Sequence, residues 1–320
     1  VTLNYMSKRG LGMGLEYRYN LAPGSKGMFM IDYLPSDGEA DNLYKDGKLA
    51  EPYGSRYWFR GKADQNLFDD TMRLTLDVDW VSDQDYTREF SFGNSGFKMT
   101  DDRFNQWFGR GLEPDTSLLR KNRINLQRNW SSASFNGEFL YWDDLSSDNK
   151  TTLQELPNLS FDATRQAVGK TGLYFQMDSS YVYYYREEGS KGHISDITPV
   201  LSLPLNFNDY LYLEPSVTYA PRLYSVSLDD NEDQDHQKNG ISNLWSTSMT
   251  ASTYLYRVFD FGSAADPFKI KHAMRPYIDY QFQPKVDEDD IADLASRGQS
   301  ITNAFSYGIE NAFTYKIMGK

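Results

Sequence analysis

The feature that most constrains the fold is an alternation with a period of two residues, in which apolar side chains alternate with polar ones. Between Met72 and Trp80, five apolar residues at even positions are interleaved with Arg73, Thr75, Asp77 and Asp79. Successive residues of a strand point to opposite faces of a sheet, so this segment predicts a β-strand with one apolar and one polar face. Comparable segments recur along the chain and give about fifteen candidate strands.

The composition favours a folded chain of an unusual kind. Of its 320 residues, 15% are aromatic, with 24 Tyr, 19 Phe and 6 Trp, whereas the hydrophobic share is 39%. Disordered chains are poor in aromatic residues, so the chain is expected to fold. It has no apolar run of about 18 residues, but strands of about 9 to 11 residues can also cross a bilayer. We therefore predict an all-β, antiparallel, up-and-down transmembrane β-barrel with an aqueous interior, of which the chain forms a partial wall.

The links between the predicted strands are of two lengths, as in outer-membrane barrels with short periplasmic turns and long outer loops. Prolines inside strand-like runs remove ladder donors, so strand ends or bulges are expected near them. These prolines are Pro199, Pro204, Pro215, Pro221 and Pro276. The long polar links are 36–54, 82–118, 143–157, 228–243 and 284–299.

Charge assigns the two faces. If the strand from Met72 to Trp80 were turned inside out, Arg73 would meet lipid at a cost of about 2 to 4 kcal/mol at mid-bilayer. The charged face is therefore predicted to line the lumen. The same argument gives a lumen of mixed charge that includes Arg60, Lys62, Asp178, Arg275, Asp279 and Glu310.

The charge balance and the scatter of reactive residues exclude several functions. A net charge of −12 disfavours nucleic acid, whose phosphates require clustered Lys and Arg. The three histidines are far apart in the sequence, and no catalytic constellation, metal site or cofactor site is predicted. The acidic stretches Asp229 to Asp235 and Asp287 to Asp293 are expected to be solvated loops, with divalent cation binding as the alternative.

Seven segments stand in collinear order along nearly the whole chain. They are YMSKRGLGMGLEYRY (5–19), DYLPSD (32–37), RYWFRGKADQ (56–65), VSDQDYTREF (81–90), LQELPNLSFDATRQ (153–166), YYYREEGSKGH (183–193) and KIKHAMRPYIDYQFQP (269–284). Taken together and in this order, they resemble the barrel of the LptD family, the lipopolysaccharide-assembly or organic solvent tolerance proteins of the outer membrane.

This resemblance implies a lipopolysaccharide translocon in the cell outer membrane, with a barrel of roughly 26 strands. It implies a lipoprotein plug, LptE, and a periplasmic jellyroll that receives lipid from an LptA bridge. It also implies that sugars pass through the lumen while acyl chains leave through a lateral seam. Residues 1–320 correspond to the central part of the barrel, so the N-terminal jellyroll and the terminal strands are expected outside them, and no seam residue is assigned.

The resemblance and the face assignment together suggest candidate contacts for lipopolysaccharide or the plug. They are the lumen-side cations Arg18, Arg60, Lys62, Arg73 and Arg275, for which a salt-bridge mesh that stiffens the wall is the other interpretation. Two alternatives to a translocon stay open. One is a porin or substrate-specific transporter, and the other is a soluble all-β glycan-binding protein or enzyme.

Overall fold

A computed structural model describes residues 1–230, 235–261, 268–286, 288, 291–298 and 301–317. Within them lie sixteen strands and three short helices. The strands are β1 (Thr2–Met6), β2 (Gly10–Ala22), β3 (Ser25–Leu34), β4 (Arg56–Leu67), β5 (Met72–Val81), β6 (Leu119–Asn129), β7 (Ala133–Asp144), β8 (Gln154–Ala167), β9 (Tyr174–Tyr185), β10 (Lys191–Ser202), β11 (Leu205–Phe207), β12 (Leu211–Ser227), β13 (Asn239–Ser252), β14 (Leu255–Asp260), β15 (Phe268–Gln283) and β16 (Thr302–Ile317). The helices are α1 (Ala40–Lys45), α2 (Tyr86–Glu89) and α3 (Phe97–Phe108).

The chain divides into two compact units. The first is built mainly from Val1–Phe161 and the second mainly from Asp235–Lys320, while β8, β9, β10 and β12 contribute residues to both. In the first unit, β1 to β7 pair antiparallel with their neighbours in chain order. In the second unit, β13, β14 and β16 all pair antiparallel with β15. The predicted all-β, antiparallel, up-and-down order is therefore confirmed.

Prolines mark the points where strands of the second unit are interrupted. Leu203, between β10 and β11, donates its N–H to the carbonyl of Pro215 at 3.0 Å, and Thr253, between β13 and β14, donates to that of Pro276 at 3.2 Å. Proline has no N–H to return a ladder hydrogen bond, so regular pairing stops opposite it. The expected irregularities near Pro204, Pro215 and Pro276 are present, and they divide two long strands into four elements.

In this sheet the apolar face is exposed and the polar face is buried, the reverse of the arrangement in a water-soluble protein. Tyr17 and Trp80 on the apolar face are 59% and 54% exposed, whereas the side chains of Arg56, Arg60 and Arg120 are completely buried. In soluble proteins, arginine is almost never fully buried unless it is paired. The apolar face is therefore the outer one. None of the described helices has the length and apolar character required to cross a membrane.

The long link between β5 and β6 differs from its prediction. Helical periodicity is hard to find in the sequence, which predicts a polar loop over 82–118, but the structure contains α2 and α3 within it. The buried residues of α3 are Phe97, Thr100, Phe104 and Phe108, at spacings of three and four residues. That spacing places them on one face of a helix. The signal is present in the sequence, but it spans only three turns.

Candidate functional site

The polar face of β3, β4 and β5 is covered by the segment between β5 and β6, residues 82–118, called here the covering loop. Two apolar clusters join this loop to the sheet. Phe104 and Phe108 of α3 pack on Met28 and Met30 of β3. In the second cluster, Trp58 and Val81 of the sheet meet Tyr86, Phe97 and Phe90 of the loop. The covering loop is thus packed onto the sheet rather than projecting from it.

Local sequence explains how the covering loop forms its longer helix. Gly96 precedes α3, and Gly109 ends it with a φ of +68°, a left-handed conformation that favours glycine. The N–H of Gly109 donates to the carbonyl of Asn105 at 2.9 Å, which satisfies one of the last carbonyls of the helix. Gly109 thus ends α3, and the phenylalanines of its buried face, Phe97, Phe104 and Phe108, pack on the sheet.

An upper ionic cluster holds the covering loop to the start of β4. The guanidinium of Arg56 donates to both carboxylate oxygens of Asp83 at 3.0 and 2.7 Å, and to Asp37 at 3.2 Å and Glu89 at 2.5 Å. Arg9 donates to Asp37 at 2.9 Å and Glu89 at 3.1 Å. Two arginines and three carboxylates therefore join β4, the covering loop and the link that precedes β4.

The upper ionic cluster and the carboxylates next to it shift the pKa values of Glu89 and Tyr53. Burial alone would raise the pKa of Glu89, but hydrogen bonds from Arg9 and Arg56 outweigh it, and the pKa lies below its ordinary value. The pKa of Tyr53 is raised by burial and by the nearby carboxylates of Asp85 and Asp83. Glu89 is thus held ionised and Tyr53 protonated at neutral pH, which favours the hydrogen bond from Tyr53 to Asp85 at 3.2 Å.

A lower ionic cluster is centred on two carboxylates of β5. Asp77 accepts from Lys62 at 3.0 Å, from Arg110 at 2.7 Å and from Arg123 at 3.0 Å. Asp79 accepts from the indole N–H of Trp58 at 2.8 Å and contacts Arg120. Three cations from different elements share the carboxylate of Asp77. Two of them have a second carboxylate, since Arg110 also pairs with Asp64 at 2.8 Å and Arg123 with Glu138 at 3.6 Å. This part of the polar face is therefore a network of alternating charges.

The structure separates the five predicted contact residues by exposure. Arg60 is completely buried, where it contacts Asp32 and donates to the carbonyl of Ser95 at 2.8 Å, and Lys62 is buried against Asp77. Arg73 is exposed and pairs with Asp64 at 3.3 Å, while Arg18 is partly exposed and lies over the ring of Trp107 at 5.3 Å. The contact role of all five stays a prediction. In this structure, only the exposed members present a surface to a ligand.

At β15 and β16, the second unit presents its polar face openly. Arg275 of β15, the remaining predicted contact residue, pairs with Glu310 of β16 at 3.1 Å, and their side chains are 42% and 60% exposed. Beside Arg275 lies a cavity of about 630 Å³, whose lining includes Glu214, Thr250 and Ser252. Uncovered charges and hydroxyls of this kind can bind the hydroxyl and phosphate groups of a sugar.

Sequence reasoning missed the members of both clusters that lie in loops or at strand ends. Arg110 of the covering loop has no alternating neighbours, and Asp83 and Glu89 follow the end of β5. One feature of the sequence could have indicated these cations. Asp77 and Asp79 lie on the same face of one strand, and two buried carboxylates require cations close to them. No group of three or more metal-ligating side chains occurs among the described residues. The two acidic stretches lie partly outside them, so their interpretation stays open.

The fold and the burial pattern first define a class: outer-membrane proteins that expose an apolar sheet face and withdraw ionic side chains to the other face. Within that class, the model of LptD, LPS transport system D, matches residues 54–310, and the chain belongs to this family. The expected outer-membrane localisation and the resemblance to the LptD family are thereby confirmed. The family is one of transport and assembly.

Curated relatives agree with this assignment. The LPS-assembly protein LptD of Yersinia enterocolitica (serotype O:8, biotype 1B) is 26% identical over 209 residues, 64% of this chain and 23% of that protein. That of Alkalilimnicola ehrlichii is 22% identical over 292 residues, 90% and 33% of the two chains. That of Pseudomonas fluorescens is 24% identical over 357 residues, 97% and 35%. The chain thus spans about a quarter to a third of the length of these relatives.

Among solved structures, a loop L8 deletion mutant of OmpT, an outer membrane protein of Vibrio cholerae, matches 96% of this chain and 90% of its own. The identity is 11% and the TM-score is 0.26. Similarity of this degree supports no argument about fold or function.

Proposed function

We propose that the chain is the central wall segment of an outer-membrane translocon that inserts lipopolysaccharide into the outer leaflet. The observation that carries this proposal is the family match over residues 54–310. In the proposed mechanism, the sugars pass along the polar face of the sheet, while the acyl chains reach the membrane through a lateral seam formed by strands outside residues 1–320. The rest of the protein would supply the jellyroll and the terminal strands.

The two faces support this division of labour. A phosphorylated sugar requires a path lined by hydrogen-bonding and cationic groups, which Arg73 and Arg275 provide on the polar face. The apolar face carries half-exposed aromatic side chains such as Tyr17 and Trp80, which suit the lipid and its interfaces. The proposed partners are lipopolysaccharide, the LptE plug, the LptA bridge through the N-terminal domain, and outer-membrane lipid. No catalytic step is required of this segment.

Depletion of the full-length protein in its native host tests the proposal. We expect newly made lipopolysaccharide to disappear from the cell surface, as measured by surface labelling, while solute uptake through other porins continues. Normal surface lipopolysaccharide together with a loss of small-solute uptake would contradict the proposal and favour a porin or transporter.

Charge reversal then tests the polar face. Arg73→Glu and Arg275→Glu place negative charge where an anionic sugar would pass, so both should lower lipopolysaccharide export at unchanged protein level. Lys48→Glu is the matched control, because Lys48 is also an exposed, ion-paired cation but lies in the link between β3 and β4. Export equal to wild type in both test variants would remove the proposed contact role.

A further inference from the structure

The pairing between β5 and β6 is incomplete. Its register runs from Met72↔Arg128 to Asp77↔Arg123 and ends there, although β5 continues to Val81 and β6 begins at Leu119. The ladders on either side are different: β4 pairs with β5 over Trp58↔Val81 to Leu67↔Met72, and β6 pairs with β7 along its whole length. The last four residues of β5, from Val78 to Val81, therefore have no regular ladder with β6. This part of the boundary is called here the β5–β6 seam.

Across the seam, hydrogen bonds from side chains take the place of the backbone hydrogen bonds of a regular ladder. The amide of Asn122 accepts from the N–H of Asp79 at 3.0 Å and donates to its carbonyl at 3.4 Å. The carboxylate of Asp79 also contacts Arg120. Backbone groups inside a membrane must be satisfied within the protein, and here one asparagine performs that task for the residue at the centre of the seam.

An apolar groove lies over the seam on the lipid-facing side of the sheet. It has a volume of about 350 Å³, and its lining includes Val78 and Trp80 of β5, Ile124 of β6, and Phe139 and Tyr141 of β7. Trp80, Ile124, Phe139 and Tyr141 are each exposed by between 39% and 54%. A groove with this lining accommodates a hydrocarbon chain.

A charged pocket of about 270 Å³ lies behind the seam, on the polar face. Four cations line it, namely Lys62, Arg110, Lys121 and Arg123, against the carboxylates of Asp77, Asp79 and Glu113. The groove and the pocket share Asp77, Val78 and Arg123 as walls. They are therefore adjacent, on opposite faces of the same interrupted pairing.

One cation of this pocket has no acidic partner among the described residues. Lys62, Arg110 and Arg123 all pair with Asp77, Arg110 also pairs with Asp64 at 2.8 Å, and Arg123 also pairs with Glu138 at 3.6 Å. In contrast, no carboxylate among the described residues lies within 4 Å of Lys121, whose ammonium lies over the ring of Trp142. The Nε of Arg123 is buried and has no acceptor among the described residues. An anion with several oxygens, such as a phosphate group, would satisfy these donors.

We propose that the β5–β6 seam binds one phosphorylated glycolipid, with an acyl chain in the groove and its phosphate in the pocket at Lys121 and Arg123. The inference rests on the proposed function for the identity of the ligand, and it adds a binding site in the middle of the wall. Asn122 forms the boundary between the apolar and the charged halves of the site.

Photocrosslinking in the full-length, assembled protein tests this inference. A benzophenone amino acid replaces Glu113 in the pocket, and adducts are detected with antibodies against lipopolysaccharide. Ile124→Trp fills the groove, and Leu126→Trp is the matched control, since Leu126 lies two residues further along the same strand, in the same ladder, but is not one of the residues that line the groove. Lys121→Gln removes the unpaired cation. A difference in gel mobility between unheated and heated protein, equal to that of wild type, establishes that each variant has folded.

We expect a lipopolysaccharide adduct at position 113 that loses most of its intensity in Ile124→Trp and Lys121→Gln and keeps it in Leu126→Trp. An adduct that is insensitive to Ile124→Trp in folded protein would overturn the idea of one ligand that occupies both halves. An adduct with glycerophospholipid only would overturn the ligand class. Absence of any adduct while lipopolysaccharide export is normal would overturn the site but leave the proposed function intact, whereas normal export after depletion would overturn that function itself.

Discussion

The polar face of β3 to β5 in the first unit and that of β15 and β16 in the second are built from the same alternating pattern but differ in what lies on them. In the first unit, the covering loop buries Arg56, Arg60 and Lys62. In the second unit, Arg275 and Glu310 form an ion pair that is about half exposed. The alternation therefore determines which face is polar, and a covering segment determines whether that face meets solvent. Charged residues on one face can have a structural role in one unit and remain available for contacts in the other.

The largest expected effect comes from removing the central cation of the covered face. Arg56→Ala leaves Asp37, Asp83 and Glu89 close together with Arg9 as their one remaining ion-pair partner in the described part of the chain. Breaking a buried ion pair on one side costs about 3 to 5 kcal/mol. We expect the free energy of unfolding of the full-length protein, measured by chemical denaturation in detergent micelles, to fall by this amount. A loss below about 1 kcal/mol, as for an exposed pair, would show that ion pairs on the covered polar face are no more important for stability than those on the open one.

Removal of an apolar contact under the covering loop should rank second. Phe104 is fully buried against the sheet, and truncation of a buried phenylalanine costs about 3 to 5 kcal/mol, at the lower end where the site can collapse. Phe104→Ala should therefore expose the covering loop to trypsin at Lys98 and Arg103. Met99→Ala, on the exposed side of α3, serves as control and should leave protection unchanged. Equal cleavage in both variants would mean that α3 is not anchored to the sheet.

The covered face also shows how much of the candidate site can be predicted from the sequence. Arg60 and Lys62 could be placed on the polar face from their phase relative to Phe59 and Ala63, because strand periodicity requires no knowledge of distant residues. Burial of Arg60 by a segment some 35 residues further along could not be predicted. It depends on long-range packing of Phe97 and Phe104, whose helical period covers only three turns. The carboxylate that pairs with each cation could not be predicted either. It depends on the register between neighbouring strands, and that register follows from the whole ladder.

A smaller effect should appear when acid is added. The pKa of Glu89 is lower in the folded protein than its ordinary value, so its ion pairs with Arg9 and Arg56 stabilise the fold fully above about pH 4.3, the ordinary pKa of glutamate. That contribution is lost as the pH falls through the lower, folded pKa. Protection of the covering loop from an acid-active protease should decline in the same range, and Glu89→Gln should abolish this pH dependence. A decline that persists in Glu89→Gln would assign it to other carboxylates.

The smallest effect is expected at the open face. Arg275→Ala removes one half-exposed ion pair with Glu310, and such pairs contribute about 0 to 1 kcal/mol. The thermal midpoint of the full-length protein should therefore remain close to that of wild type, even where lipopolysaccharide export changes. A loss as large as that of Arg56→Ala would show that the open face is as tightly coupled to stability as the covered one.

Spin labelling along β5 tests the central claim, that the apolar face meets lipid and the ionic face does not. Nitroxides are placed one at a time at positions 73 to 80 of the full-length protein in bilayers, and collision rates with oxygen and with a water-soluble nickel complex are recorded. We predict oxygen maxima at Leu74, Leu76, Val78 and Trp80, with minima at Thr75, Asp77 and Asp79. Maxima at the threonine and aspartate positions, or no alternation with a period of two, would contradict the account.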